Sequence, residues 1–408
     1  MAVSVPVPAA TALASAPAPA KPYYPALSGI RAVAALLVFA NHFRPVGMPH
    51  WADQTVRQFH FTMSIFFMLS GFVLATNYQQ LAAGPGAAAW YAPARVGPAA
   101  RPPGWWRRYF WRRVARVYPM YLLLNTTVLW HVYWPVPPGQ WGHTLTLVFL
   151  SESLLRGFSD TLKYVGLPQA WSLTAEECFY FSLPLLLWLW QRRGWRGAAA
   201  FAAGALALGL GLTALCQGRP ALHGFFGSYY HLFSFTFFGR VLEFSLGVGL
   251  ARWQAARAAR PLGPGWPGSP VVPWRTVAGG LLLAVVLAAL LRINSPVGAY
   301  EGVLDPRSVA LNVLAFPVAF TLLLAGLLRE QSWLRAVLGS RFMDEAGRRT
   351  YAFYLVQIGL LSIWWQGHFG FGGQVAAQLL VTLLLSEVLY RGVEEPARKW
   401  LLAKLKIA

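Results

Sequence analysis

Ten apolar segments, each long enough to cross a bilayer as a helix, follow one another along the chain at about 26–43, 59–76, 118–135, 171–190, 197–216, 229–250, 276–293, 307–328, 350–368 and 374–391. The stretch 144–158 is shorter and carries Glu152 and Arg156, which reads as a surface or re-entrant helix and keeps the number of spans even. Residues 1–20 are Ala/Pro-rich, with prolines interrupting any apolar core and no basic flank, so the pattern is a disordered tail rather than a signal peptide. The expected organisation is an N-terminal tail over 1–22, a transmembrane domain over 23–396 and a basic cytoplasmic tail over 397–408. No internal repeat is visible, and the longest stretches between spans, about 35–40 residues, leave no room for a soluble domain.

Composition agrees with this pattern. Of 408 residues, 56% are apolar and 12% charged, against about 25% charged in soluble domains. The fold class is therefore all-α, a polytopic membrane protein of about ten transmembrane helices. The net charge of +20 would suggest nucleic acid in a soluble protein; here it reports orientation, with membrane lipid as partner and no nucleic acid. With both termini cytoplasmic, 25 of the 34 basic residues fall on the inner side and 7 on the outer, leaving Arg31 and Arg240 inside spans. Cys178 and Cys216 lie in apolar runs and point to neither a disulfide framework nor a zinc site, and no bound cofactor or metal is expected.

A charge at the centre of a span costs about 2.5–3.5 kcal/mol on insertion scales, so each one needs a reason. Arg31 and His42 are eleven residues apart on the first span, which places them on one helix face about 16 Å apart in height. Arg31 lies toward the cytoplasmic end and His42 toward the outer end. Glu176 and Glu177 begin the fourth span in the same outer half as His42; adjacent helix positions diverge, so at most one carboxylate points at a given partner. A Glu–His pair between these spans would orient the imidazole as a general base requires. Arg240 and Glu243, at i and i+3, read as a structural ion pair. The run Arg107–Tyr121 places five arginines among aromatics at the cytoplasmic end of the third span. Guanidinium forks match phosphate oxygens, so a nucleotide-bearing acyl carrier such as coenzyme A would fit there. There is no Walker motif, HExxH pair or GxSxG elbow.

Six phrases in order resemble the acyltransferase 3 family of integral membrane proteins. Tyr23–Phe43 (YYPALSGIRAVAALLVFANHF) carries an arginine and a histidine with ten residues between them, Arg31 and His42. Phe66–Ala75 (FFMLSGFVLA) resembles the second-span phrase, and Arg112–Tyr121 (RRVARVYPMY) holds the R-x-x-R pair as Arg113 and Arg116. Trp171–Tyr180 (WSLTAEECFY) resembles a W-S-x-x-x-E-E-x-F-Y block, including Trp171, Ser172, Glu177 and Tyr180, with the fixed glutamate at Glu176. Gly239–Leu250 and Tyr390–Trp400 match further segments. One departure is YLVQ (Tyr354–Gln357), where members often read Y-L-x-H.

The resemblance implies transfer of an acyl group, usually acetyl, from cytoplasmic acyl-CoA as donor substrate to a hydroxyl of a carbohydrate or related acceptor. Such acceptors include O-antigen, exopolysaccharide, peptidoglycan, lipo-oligosaccharide signals and some antibiotics. The expected site has His42 as base, Glu176 orienting it, and Arg31, Arg113 and Arg116 holding donor phosphates. Trp171, Ser172, Glu177 and Tyr180 complete the substrate-binding set, and a bacterial inner membrane is the expected location. The alternative is a transporter or flippase that uses the buried Arg, His and Glu as a substrate path or proton relay. Against it, the halves show no repeat symmetry and no matching pair of Gly/Pro-broken helices.

Overall fold

The computed structural model describes residues 23–83, 104–258, 273–294 and 305–406; the expected tail over 1–22 lies outside the described residues. Among the described residues the secondary structure is helical, apart from one isolated antiparallel bridge between Ser159 and Phe225. Helix α1 (Pro25–His42) opens on a proline, whose missing N–H is one that no first turn could use. A short α2 (His50–Arg57) and a 3-10 turn lead into α3 (Thr62–Ala83). Next come α4 (Trp105–Tyr133), α5 (Trp141–Glu152), α6 (Trp171–Arg193) and α7 (Trp195–Cys216). Helix α8 (Tyr229–Phe235) runs into α9 (Phe237–Ala258), and α10 (Trp274–Asn294) precedes α11 (Pro306–Ala310). A π-helical turn, Leu311–Ala315, joins α11 to α12 (Phe316–Arg329). The chain ends in α13 (Trp333–Leu338), α14 (Arg341–Arg348), α15 (Thr350–Gln357), α16 (Leu360–Phe369), α17 (Val375–Leu389) and α18 (Glu395–Lys404).

Seven helical stretches among the described residues are long and apolar enough to cross a membrane: Pro25–His42, His50–Asn77, Trp195–Cys216, Tyr229–Arg257, Trp274–Asn294, Pro306–Arg329 and Val375–Lys404. The other three expected segments are helical but carry more charge or a break. Helix α4 holds the arginine run, α6 holds Glu176, Glu177, Arg192 and Arg193, and 350–368 is divided between α15 and α16.

That division corrects the expectation of an unbroken span, and the cause is local. Ile358 is extended (φ −119°, ψ 115°). The carbonyls of Tyr354, Leu355 and Ile358 accept from Gln169 Nε2 at 3.2, 2.9 and 2.8 Å, so the break leaves them satisfied without a continuing helix. The expected span 229–250 is also broken, at Thr236. Its hydroxyl donates back to the Leu232 carbonyl at 2.7 Å, and a Cβ on Gly239 would lie 2.3 Å from that same oxygen. Arg156, read above as part of a surface or re-entrant helix, is buried, with Nη2 donating to the Leu167 carbonyl. The C-terminal segment read as a tail is helical through Lys404.

Glycines set the close helix crossings. A Cβ on Gly71 of α3 would lie 2.3 Å from the Phe244 carbonyl oxygen of α9, and one on Gly247 would lie 2.1 Å from that of Met68. The two backbones therefore touch, which is how helices gain contact where lipid supplies no hydrophobic drive. Helix α1 packs in the same way through Gly29 against Leu338 and through Gly347 of α14 against Ser28. At the periphery, α7 and α10 leave Leu208, Leu281 and Val285 exposed. Helices α1, α3, α6 and α15 contribute to both cavities described next, with α4 added in one and α8, α9 and the π-helical turn in the other.

Candidate active site

The first cavity, about 80 Å³, is lined by Arg31 from α1, Phe66, Phe67 and Ser70 from α3, Arg116 from α4, Ser172 and Glu176 from α6, and Thr350, Tyr351 and Tyr354 from α15. Four of the sequence phrases thus converge on one space. Ser70 Oγ donates to Glu176 Oε1 at 3.1 Å, and the Tyr180 hydroxyl also hydrogen-bonds this carboxylate. Arg31, Arg113 and Arg116 all lie within electrostatic reach of Glu176. The Arg113 guanidinium sits 5.8 Å from the Tyr180 ring centroid, and its Nε is buried without a hydrogen-bond partner among the described residues. Glu394, just before α18, also faces Arg116 and is buried, with Oε2 unpartnered. Arg31, Arg113 and Arg116 outnumber the carboxylates beside them, a balance suited to a phosphate-bearing ligand. Glu177 points elsewhere and takes a hydrogen bond from the Tyr118 hydroxyl, as the divergence of adjacent helix positions requires.

The second cavity, about 210 Å³, is where His42 lies, with Asn41, His60, Gln169, Trp171, Tyr230, Arg240 and Asn312 among its walls. Asn41 Nδ2 donates to the Val56 and Arg57 carbonyls at 3.0 and 3.2 Å, tying the end of α1 to the end of α2. Arg44 and Arg57 at the rim share Asp53, at 3.1 and 2.6 Å. His60 Nδ1 lies 3.1 Å from the Arg57 carbonyl, which makes it the protonated nitrogen and leaves Nε2 to accept from Asn312 Nδ2 at 3.3 Å. Asn312 sits on the π-helical turn, a distortion that recurs at functional sites. Among the described residues, His42 Nδ1, Gln169 Oε1 and Asn312 Oδ1 are all buried without a hydrogen-bond partner. Each is able to accept, and a buried acceptor left unpaired costs about 1–3 kcal/mol. The cavity is therefore shaped for a ligand that brings several donors.

His42 and Glu176 line different cavities, and no hydrogen bond joins them. This corrects the expected Glu–His pair: Glu176 is drawn to Ser70, Tyr180 and the arginines instead. The sequence reading also passed over Asn41, His60, Gln169, Asn312 and Tyr354. Asn312 stood as a lone amide in an apolar span and could have been flagged on that ground. Gln169 and His60 gave no such signal, because their roles follow from a helix break and a turn.

Residues 24–391 match a family described as an acyltransferase domain, that of the acyltransferase 3 proteins. The chain belongs to this family. A relative from Streptomyces mycarofaciens, named acyltransferase MdmB, is 26% identical in an alignment of 422 positions that takes in 92% of each chain. No solved structure matches. The protein is an acyltransferase, and the segments that resemble the family have definite places in it. Gly71 of the second phrase and Gly247 of the fifth meet in a crossing where backbone touches backbone. Beside that crossing the acyltransferase carries its ion pair. Arg240 Nε lies 3.0 Å from Glu243 Oε1, Arg240 Nη2 donates to Ser64 Oγ at 3.0 Å, and Ser64 Oγ donates to Glu243 Oε1 at 2.8 Å. At the position where members often carry histidine, Gln357 is fully buried, and neither side-chain polar atom has a partner among the described residues.

Proposed function

We propose that this acyltransferase moves an acyl group, acetyl by preference, from cytoplasmic acyl-CoA to a hydroxyl of a cell-surface or exported glycan. On this reading it is a multi-pass protein of the bacterial inner membrane, with ten spans and both termini cytoplasmic. The observation that carries the reading is the pair of adjoining cavities, one cationic and the other holding a histidine with an unpaired nitrogen. The donor's phosphates lie against Arg31, Arg113 and Arg116, which Glu176 holds in position. The acceptor lies in the histidine cavity, where Gln169 and Asn312 accept from its spare hydroxyls and Trp171 and Tyr230 offer ring faces. Ser172 lines the donor cavity, Tyr180 braces Glu176 from outside it, and Glu177 anchors α6 to α4.

His42 takes the proton of the reacting hydroxyl as its oxygen attacks the thioester carbon. The new C–O bond forms, the C–S bond breaks, and the imidazolium returns the proton to the departing thiolate. Membranes containing the protein, supplied with labelled acetyl-CoA and a surface-glycan extract, should place label on the glycan. Label that stays on acetyl-CoA with every glycan fraction and acyl length tried would sink the proposal.

A further inference from the structure

The arginine cavity and the histidine cavity share a wall, because Tyr354 and Met63 line both. With the donor's phosphates on one side and the acceptor hydroxyl on the other, the thioester carbon has to pass this wall before it can be attacked. Tyr354 is almost fully buried; its hydroxyl donates to the Gln169 carbonyl at 2.8 Å, lies 2.9 Å from Ser172 Oγ and 3.9 Å from Met63 Sδ. It stands in the last turn of α15, immediately before the break at Ile358. One side chain, Gln169, holds the carbonyls at that break, and its own backbone carbonyl is the acceptor for Tyr354. The turn's other amide, Gln357, makes no side-chain hydrogen bond among the described residues, so its own polar groups do not lock it. Met63, opposite, is an unbranched thioether with freely rotating bonds.

We propose that Tyr354 and Met63 are the gate between donor and acceptor cavities. It stays closed while the acceptor cavity holds only water and is displaced by the acyl arm once the acceptor has filled that cavity, so that water is kept from the thioester until transfer. The proposal rests on the donor and acceptor assignments made above. It accounts for two features that those assignments leave unexplained: a bonded tyrosine in the path of the reaction, and a helix that ends beside it.

The test needs no acceptor. The full chain in lipid nanodiscs is given labelled acetyl-CoA alone, and bound label and released thiol are both measured. Water entering through an open gate attacks the thioester carbon. The C–S bond breaks, one water proton reaches the thiolate through His42, and coenzyme A thiol leaves with acetic acid, which gives its remaining proton to bulk water. Thiol release in Tyr354→Ala and in Met63→Ala should each rise about tenfold over wild type, since water exclusion is what protects an activated group from hydrolysis. Adding His42→Ala to either variant should return release to the wild-type level. Tyr354→Phe, which keeps the ring but loses the bonds to Gln169 and Ser172, should fall between wild type and Tyr354→Ala. Met63→Ala touches none of those bonds and decides the matter if Tyr354→Ala does not fold. The gate is overturned if variants that bind acetyl-CoA like wild type release no more thiol. Loss of binding in wild type itself would instead remove the donor assignment, and the gate with it.

Discussion

At His42 a side chain can be removed without disturbing the arginines, and at Arg116 without disturbing His42, because the two line separate cavities; Arg113, beside Tyr180, stands outside the histidine cavity as well. On the proposed mechanism, His42→Ala lowers kcat by about a hundredfold to ten-thousandfold, the usual worth of a general base, while acetyl-CoA still binds. Arg113→Ala and Arg116→Ala should instead raise KM for acetyl-CoA by about tenfold or more, as expected on losing a charged hydrogen bond. Steady-state transfer alongside equilibrium binding separates the two outcomes, and lost donor binding in His42→Ala would contradict the assignment. Asp344, on α14 outside the spans, allows a test by pH. Burial pushes its carboxyl up, but bonds from Tyr23, Arg348 and Ser28 outweigh this and hold it below the ordinary carboxylate range. A depressed folded value means that the stabilisation is complete above the unfolded value and is lost as pH falls through the folded one. Thermal melts from about pH 7 to pH 3 should show Asp344→Asn less stable than wild type at neutral pH, with the gap closing on acidification. A gap independent of pH would rule out this linkage.

Among the elements, α3 and α9 carry the most demanding contact, because Gly71 and Gly247 meet backbone at a crossing that also holds a buried charge pair. Removing one partner strands the other, so Arg240→Met or Glu243→Met alone should cost about 3–5 kcal/mol. The double replacement should cost much less. Equal detergent melting temperatures for the two single variants and the double would show that the pair has no structural role. This ion pair was legible from spacing, since i and i+3 share a helix face, and so was the gathering of Arg31 and Arg116 in one site; Glu176, placed with His42 in the outer half, was not expected beside them. The breaks at Thr236 and Ile358 were not, because hydropathy averages over a window and cannot register carbonyls satisfied by a distant glutamine. The separation of Glu176 from His42 was hidden for a related reason. Helical geometry gives the heights of both groups but not the arginines that claim the carboxylate.

For the whole molecule, the positive-inside count and the positions of exposed loops make the proposed orientation testable. In a chain freed of Cys178 and Cys216, a membrane-impermeant thiol reagent should label Gln140→Cys and Phe371→Cys on intact cells. Arg341→Cys should label only after permeabilisation, and external labelling there would overturn the orientation. The exposed apolar faces of α7 and α10 are then the natural boundary with lipid. The walls of the two cavities also differ in where along the chain they originate. The arginine side is built wholly from residues within helices, whereas much of the histidine side comes from joints: Tyr164 and Gln169 before α6, Tyr230 on the short α8, Asn312 on the π-helical turn. Joints accept insertions and exchanges that helix interiors do not. On the proposed assignment, a lineage built on this plan could change its acceptor by grafting connecting segments while its donor half stayed fixed, and chimeras that swap only those joints would be the rational way to redirect it.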